Sequence, residues 1–397
     1  MTERTIQLLD ATAPLHPLTH VLRSQVPDGS VRQEQAWRAR GLGNVTALAD
    51  MPLVASSALW DGLNDRVASM CHQLKPLMHA EADSVWGPLP VADVLCLDFA
   101  IVRAATPQGW EVQCVELQAF TSIVSTVQIL QELAHELWPM TTTLRHHDAL
   151  PVGKDWATEA RAWMCPVPDS ALMELAPWQQ KTSFDFRAAQ RLFDIPVIDT
   201  NSLRRHGHEL TWQDSGGFSH PLKHVFNRLI AHTLPQFEAL QLLLRDVPLS
   251  WHSHPEWYYR VGKAQMAGLV LSAEERVVPA HQWRVLGMPA DKLVLKAAES
   301  YGGTDVLLHV TAEQLDTLPN AARWLVQPRF EPLPVLTASD GAPLFAEVRC
   351  VVARPTTDKP WVATRFARVY RGDKASASTH GAQTGSGLAL LFSPPVP

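Results

Sequence analysis

The 397-residue sequence predicts an α/β fold, and three observations carry that expectation. Short β-rich runs alternate with helical periods through residues 150–250, the pattern of partly parallel strand pairing. A long strand pair precedes that region, and further apolar strands follow it. The composition, 46% hydrophobic and 19% charged, belongs to a chain able to bury a large core.

The elements follow in order. Residues 1–50 are polar, with a turn at Pro27-Asp28-Gly29. Leu59, Leu63, Val67, Met70 and Leu74 recur at helical spacing and predict an amphipathic helix within 53–79. VLCLDFAIVRAA and WEVQCVELQAF, separated by Thr106-Pro107-Gln108-Gly109, predict a hairpin, and 122–140 a helix. MCPVPDS and DIPVIDT look strand-like on either side of the helical DFRAAQRLF. HELTWQDSGGFSHPLKHVFNRLI looks like two strands about a Gly-Gly turn. WYYRVGKAQMAGLVL is a strand end or loop feeding a helix, and KLVLKAAESYGGTDVLLHV a strand, a glycine loop and a strand. TAEQLDTL opens with a Thr-x-x-Gln capping box. RWLVQPRF and FAEVRCVVA are strands, and the tail RGDKASASTHGAQTGSG is a mobile loop.

Several function classes drop out. A formal charge of −6 without a basic stripe argues against a nucleic-acid partner. The charged start MTERTIQLLDATAP is no signal peptide, and no stretch approaches the roughly 18 apolar residues of a membrane span. Five scattered cysteines (Cys71, Cys96, Cys114, Cys165, Cys350) without CxxC read as reduced core thiols, so the expected location is cytoplasmic, with no membrane partner. There is no GxGxxG, P-loop or GxSxG. The histidine pairs 146/147, 206/208 and 252/254 have no second metal donor at zinc spacing and read as surface or hydrogen-bonded loop residues. Oligomeric state is not legible.

Four constellations carry chemistry. Asp98 lies on one hairpin strand, Glu116 and Gln118 on the other. Two carboxylates and an amide oxygen on one face suit a hard cation such as Mg²⁺, while the same residues also fit an edge hairpin with a solvated polar face. Lys296, 180 residues after Glu116, ends the apolar run Leu293-Val294-Leu295 and precedes Gly302-Gly303, a pattern able to grip phosphate or simply a hairpin turn. Lys263 stands in Arg260-Val261-Gly262-Lys263. Trp324–Pro332 is an apolar strand stopped by prolines, suited to an adenine edge or to any sheet edge. In FAEVRCVVA, Glu347 and Arg349 share a face, fit for a phosphoryl group or a cross-sheet salt bridge.

In this order the elements resemble the ATP-grasp superfamily in its circularly permuted, glutathionylspermidine synthetase-like branch, where the metal acids precede the phosphate lysines. VELQAFTS resembles the family's metal strand, RVGKAQM its first lysine motif, LVLKAAESYGG the second lysine with its covering loop. WLVQPRFEP resembles the adenine-lining strand, EVRCVV a late strand whose arginine reaches the phosphates, and PLKHVFNRLI a strand preceding the lysine region. The resemblance spans about residues 90–370. It implies mixed sheets with flanking helices and ATP in a cleft between lobes, with Asp98, Glu116 and Gln118 on Mg²⁺. Lys263, Lys296, Glu299, Gly302, Gly303 and Gln327 would bind ATP, and Arg349 and Lys296 would be catalytic. The implied activity is a carboxylate–amine ligase forming an amide through an acylphosphate, its substrates small molecules such as an amino acid, peptide or polyamine. A nucleotide-binding homologue without ligase activity and a phosphotransferase are the alternatives. The implied division is 1–90 helical, 91–150 metal strands, 151–250 substrate domain, and 251–397 lysine and adenine lobe with the tail. Three positions depart from the family: Gln118 replaces Asn, Cys96 replaces Arg, and Ala297 replaces Pro.

Overall fold

A computed structural model describes residues 7–8, 16–21, 28–79, 83–84, 86–121, 123–150, 152–231, 234–299, 305–372 and 386–394. The chain is an α/β protein with mixed and parallel sheets and flanking helices. The predicted tail at 373–385 and the Gly302-Gly303 loop lie outside the described residues.

Its centre is a nine-stranded sheet. Val94–Arg103 is buried at every position but its last, as expected of a strand covered on both faces. It pairs antiparallel with Trp110–Gln118 on one side and Pro343–Ala353 on the other. Pro343–Ala353 continues to Trp361–Tyr370, which pairs with Gly387–Phe392, and that strand lies parallel to Leu53–Ala55. Trp110–Gln118 ends the sheet, and among the described residues no strand pairs with its outer edge.

Helices cover one face. Ser57–Met78 starts where the Ser56 hydroxyl accepts from the Leu59 N–H, and it buries Leu59, Leu63, Val67, Met70 and Leu74. Val124–Leu137 packs on Trp361–Tyr370, Gly387–Phe392 and the helices Gly29–Ala39 and Ser183–Phe193. Arg365 is fully buried in this layer, stacked on the Trp60 ring at 4.1 Å and donating to Asp148 Oδ1 at 2.7 Å and Asn64 Oδ1 at 2.5 Å. Strand alternation sends Arg365 and Arg368 to opposite faces. Ser57–Met78 therefore lies on the Arg365 face, and Asp98, Arg349 and Arg368 share the other.

Two smaller cores flank the central one. Ser250–His252, His224–Asn227, Ser170–Glu174 and Val197–Asp199 form a parallel sheet in that order. Val278–Pro279, Trp324–Pro328, Leu293–Ala297 and Val306–Leu307 form an antiparallel one. Three local expectations change. MCPVPDS is no strand: Met164 ends the helix Trp156–Met164, Pro166 and Pro168 supply no ladder donors, and pairing starts at Ser170. After Gly262 comes a 3₁₀ turn, Lys263–Gly268, behind the short helix Trp257–Arg260. His146 is buried with neither ring nitrogen bonded, and burial pushes its pKa well below the usual value. His252 is buried between Asp93 and Thr121, and of the three pairs only His206, ending the strand Leu203–His206, and His208, in the turn after it, are both exposed.

The Arg365–Asp148 pair generates an ordering. Removing one member of a buried pair strands its partner, at about 3–5 kcal/mol, whereas an apolar replacement of the cation removes the charge that needs compensation. Asp148→Ala is expected to lower the thermal midpoint more than Arg365→Met, and the reverse order in calorimetry contradicts this reading.

Candidate functional site

The hairpin register sets Asp98 opposite Glu116 and Cys96 opposite Gln118, so Asp98, Glu116 and Gln118 share one sheet face. Pairing then skips from Asp98–Glu116 to Phe99–Cys114, leaving Val115 as a bulge residue. The Val115 carbonyl accepts from Lys296 Nζ at 3.2 Å, and Lys296 also donates to Gln327 Oε1 at 2.8 Å. The rest of this edge is met in kind. Cys114 N–H donates to Glu275 Oε1 at 2.6 Å, and Ala119 N–H to the Val261 carbonyl at 2.8 Å. Val261 leads into Gly262-Lys263, and Lys263 Nζ stands 3.4 Å from Glu116 Oε1.

Glu116, Gln118, Lys263 and Lys296, from two sheets and a loop, therefore converge. Burial lowers the Lys296 pKa to about 8, with the nearby Lys263 pushing the same way and Glu116 opposing. Glu116, Gln118, Tyr258, Lys263, Gln265 and Glu299 line a cleft of about 70 Å³. Ligand pockets usually run to roughly 300–1,000 Å³. A nucleotide would thus need the cleft to open.

Asp98 is differently placed. It is 2% exposed, and Oδ1 accepts from Arg349 Nε at 2.5 Å, while Oδ2 accepts from Arg349 Nη2 at 2.5 Å and Arg368 Nη2 at 2.6 Å. Arg368 also pairs with Glu347, its direct cross-strand neighbour. Burial alone would raise the Asp98 carboxyl, but Arg349 and then Arg368 overcome it and hold the group well below the usual carboxylate range. Three of roughly four lone-pair positions are taken by guanidinium donors. Glu116 and Gln118 keep oxygen toward the cleft, but a hard-cation site on all three residues needs Asp98 open as well. Among the described residues no group of three or more His, Cys, Asp or Glu is placed to hold an ion. The donor set does not fit the expected magnesium, and no step below runs through one. Arg349, expected at the phosphates, is committed to Asp98.

The other expected residues divide. Gln327 is buried and anchors Lys296, so its amide serves the lysine. Glu299 lines the cleft, with its carboxylate 3.5 Å from Arg323. Gly302 and Gly303 are outside the described residues. At the departing position, the Cys96 thiol donates to the Phe120 carbonyl at 2.8 Å and so ties down the turn after Gln118. Arg103, the nearest arginine on that strand, pairs with Glu331 at the surface and does not stand in for it.

A second group was not distinctive in sequence. In parallel sheets ligands sit beyond the carboxyl ends of the strands, where the strand order reverses. Here the reversal lies between Ser170–Glu174 and His224–Asn227, and Glu174 and Arg228 stand at those ends. The buried Arg228 donates to Asp185 Oδ2 at 2.6 Å and faces the Phe120 and Phe186 rings, while its Nε has no hydrogen-bond partner among the described residues. Burial raises the Glu174 pKa to about 7. Phe120 follows Gln118 by two residues and packs edge-on against Tyr258 in the cleft wall. The signal in sequence was a charge closing the apolar run HVFNR. A cavity of about 930 Å³ lined by Trp60, Asn64, Asp148 and Trp361 lies on the Ser57–Met78 side of the sheet, away from this chemistry.

No known family profile and no curated protein matches the sequence. Among solved structures, a glutathione synthetase-like effector from Globodera pallida in its apo form matches with a TM-score of 0.53 and 11% identity, over 91% of this chain and 96% of that one. The likeness is one of fold and runs along almost the whole chain.

Lys296 titrates lower in the folded chain, at about 8, than its ordinary 10.5. A depressed lysine gives a stability contribution complete above the unfolded value and lost as pH falls through the folded one. Wild type should therefore gain stability relative to Lys296→Met between pH 8 and 10.5, read as the difference between their denaturation midpoints. A flat or falling difference contradicts the assignment.

Proposed function

We propose that this chain is an ATP-grasp-like enzyme of the circularly permuted branch, an ATP-dependent ligase joining a small-molecule carboxylate to an amine. The observation that carries the proposal is the meeting of Lys263 and Lys296 at the Glu116 strand, beside a parallel sheet whose reversal point presents Arg228.

In this reading Lys263 and Lys296 receive the nucleotide phosphates, and the strand Trp324–Pro328 backs the base, with Gln327 holding Lys296 in place. Arg228, whose Nε has no hydrogen-bond partner among the described residues, receives the substrate carboxylate. Attack of that carboxylate on the γ-phosphorus gives an acylphosphate and ADP. The amine then attacks the acyl carbon, and phosphate leaves. Positioning and charge neutralisation supply most of such catalysis, and no enzyme nucleophile is required. Closure of the small cleft would keep water from the acylphosphate.

A second reading, nucleotide binding without ligation, is favoured by one observation: the arginine pairs on Asp98 occupy a position that the ligase resemblance gives to the metal. The two separate cleanly. ADP and phosphate release with ATP and pools of amino acids, peptides or polyamines is expected under the ligase reading, and Lys263→Ala should slow it by about tenfold or more, about 1.4 kcal/mol. An ATP-induced thermal shift with no release from any pool selects the binding reading. Neither a shift nor release defeats both. Among the described residues no helix is long and apolar enough to cross a membrane.

A further inference from the structure

Three in-register strands carry a charge ladder on the site face. Arg349 is directly opposite Asp98, and Glu347 is directly opposite Arg368. Asp98 and Glu347 balance Arg349 and Arg368, Glu116 balances Lys263, and Lys296 donates to the neutral oxygens of Val115 and Gln327. The cluster is thus one positive charge in excess before any ligand arrives. A divalent cation would raise that excess to three in a largely buried layer. It would also have to strip guanidinium donors from Asp98, leaving the largely buried Arg349 without its counter-charge and Arg368 with Glu347 alone, the costly way to break such pairs. An anion faces the opposite balance: its first negative charge offsets the Lys296 excess and it disturbs neither the Lys263–Glu116 pair nor the arginines on Asp98. The bidentate Arg349–Asp98 fork also fixes its geometry, as an ammonium would not.

We infer that Arg349 and Arg368 stand in this chain where a divalent cation would otherwise sit, and that the cleft takes a phosphate-bearing anion free of metal. The inference rests on the nucleotide reading above for the identity of that anion, a nucleoside di- or triphosphate. It concerns recognition alone and leaves the rate of any transfer aside.

The test uses the full chain and two probes. Electron paramagnetic resonance of Mn²⁺ reports whether the ion binds in the absence of nucleotide, and calorimetry measures ADP affinity in EDTA and in excess Mg²⁺. The expected result is Mn²⁺ that remains free, with ADP affinity differing by less than about tenfold between the two buffers, that is by less than about 1.4 kcal/mol. Saturable Mn²⁺ binding without nucleotide, or ADP binding that disappears in EDTA, overturns the inference. Absence of ADP binding in both buffers defeats the nucleotide reading instead, while free Mn²⁺ in the same experiment still supports the replacement of the metal by arginine.

Discussion

The outer edge of Trp110–Gln118 is the constraint on which the site depends. A strand that ends a sheet presents N–H and C=O groups that must find partners once buried. Here, among the described residues, no further strand supplies them. Glu275 takes the Cys114 N–H, Val261 takes the Ala119 N–H, and Lys296 donates to the Val115 carbonyl that the bulge turns out of the ladder. Those three partners all come from the chain after residue 250. Satisfying one edge therefore docks the lysine-bearing sheet against the acid strand, and segments far apart in sequence meet in one cleft.

The lysines and acids of this cleft are in different electrostatic states because of where that docking puts them. Lys296 sits among neutral acceptors with Lys263 nearby, so burial and like charge depress its pKa. Asp98 lies one strand inward, where the ladder with Arg349, Arg368 and Glu347 compensates it completely. The same sheet face thus offers surplus positive charge at its edge and a closed ion-pair network behind it. An account of function built on the acids alone would miss that difference. Beyond the edge, Phe120 and Tyr258 connect the cleft wall to Arg228 at the end of the parallel sheet.

Much of this was legible in the sequence, and the misses have physical causes. The hairpin was clear because Pro-Gln-Gly stands between two apolar runs; the turn sets its register as far as Phe99–Cys114, and only the bulge brings Asp98 opposite Glu116. The helix Ser57–Met78 and the Thr311–Gln314 capping box showed the spacing that helices need. Trp361–Tyr370 and Gly387–Phe392 escaped, since strands buried on both faces lose the alternation that marks an edge strand. With them went Arg368, and with Arg368 one of the two arginines that occupy the Asp98 carboxylate. The bulge at Val115 leaves no mark in composition, so the placement of Lys296 on a carbonyl was beyond sequence reasoning. Gln327 was singled out for a ligand but serves a neighbouring side chain, a distinction that needs packing to see. The divisions into domains are expectations still.

The central claim is that the acid strand and the lysine elements act on one ligand together. Backbone hydrogen exchange with and without ATP tests this directly, because bound ligand raises local protection wherever it restrains opening. The account predicts slower exchange at once in 112–120, 259–267 and 293–297, with little change around the 930 Å³ cavity near Trp60 and Asn64. Protection confined to that cavity, or to only one of the three segments, would contradict it.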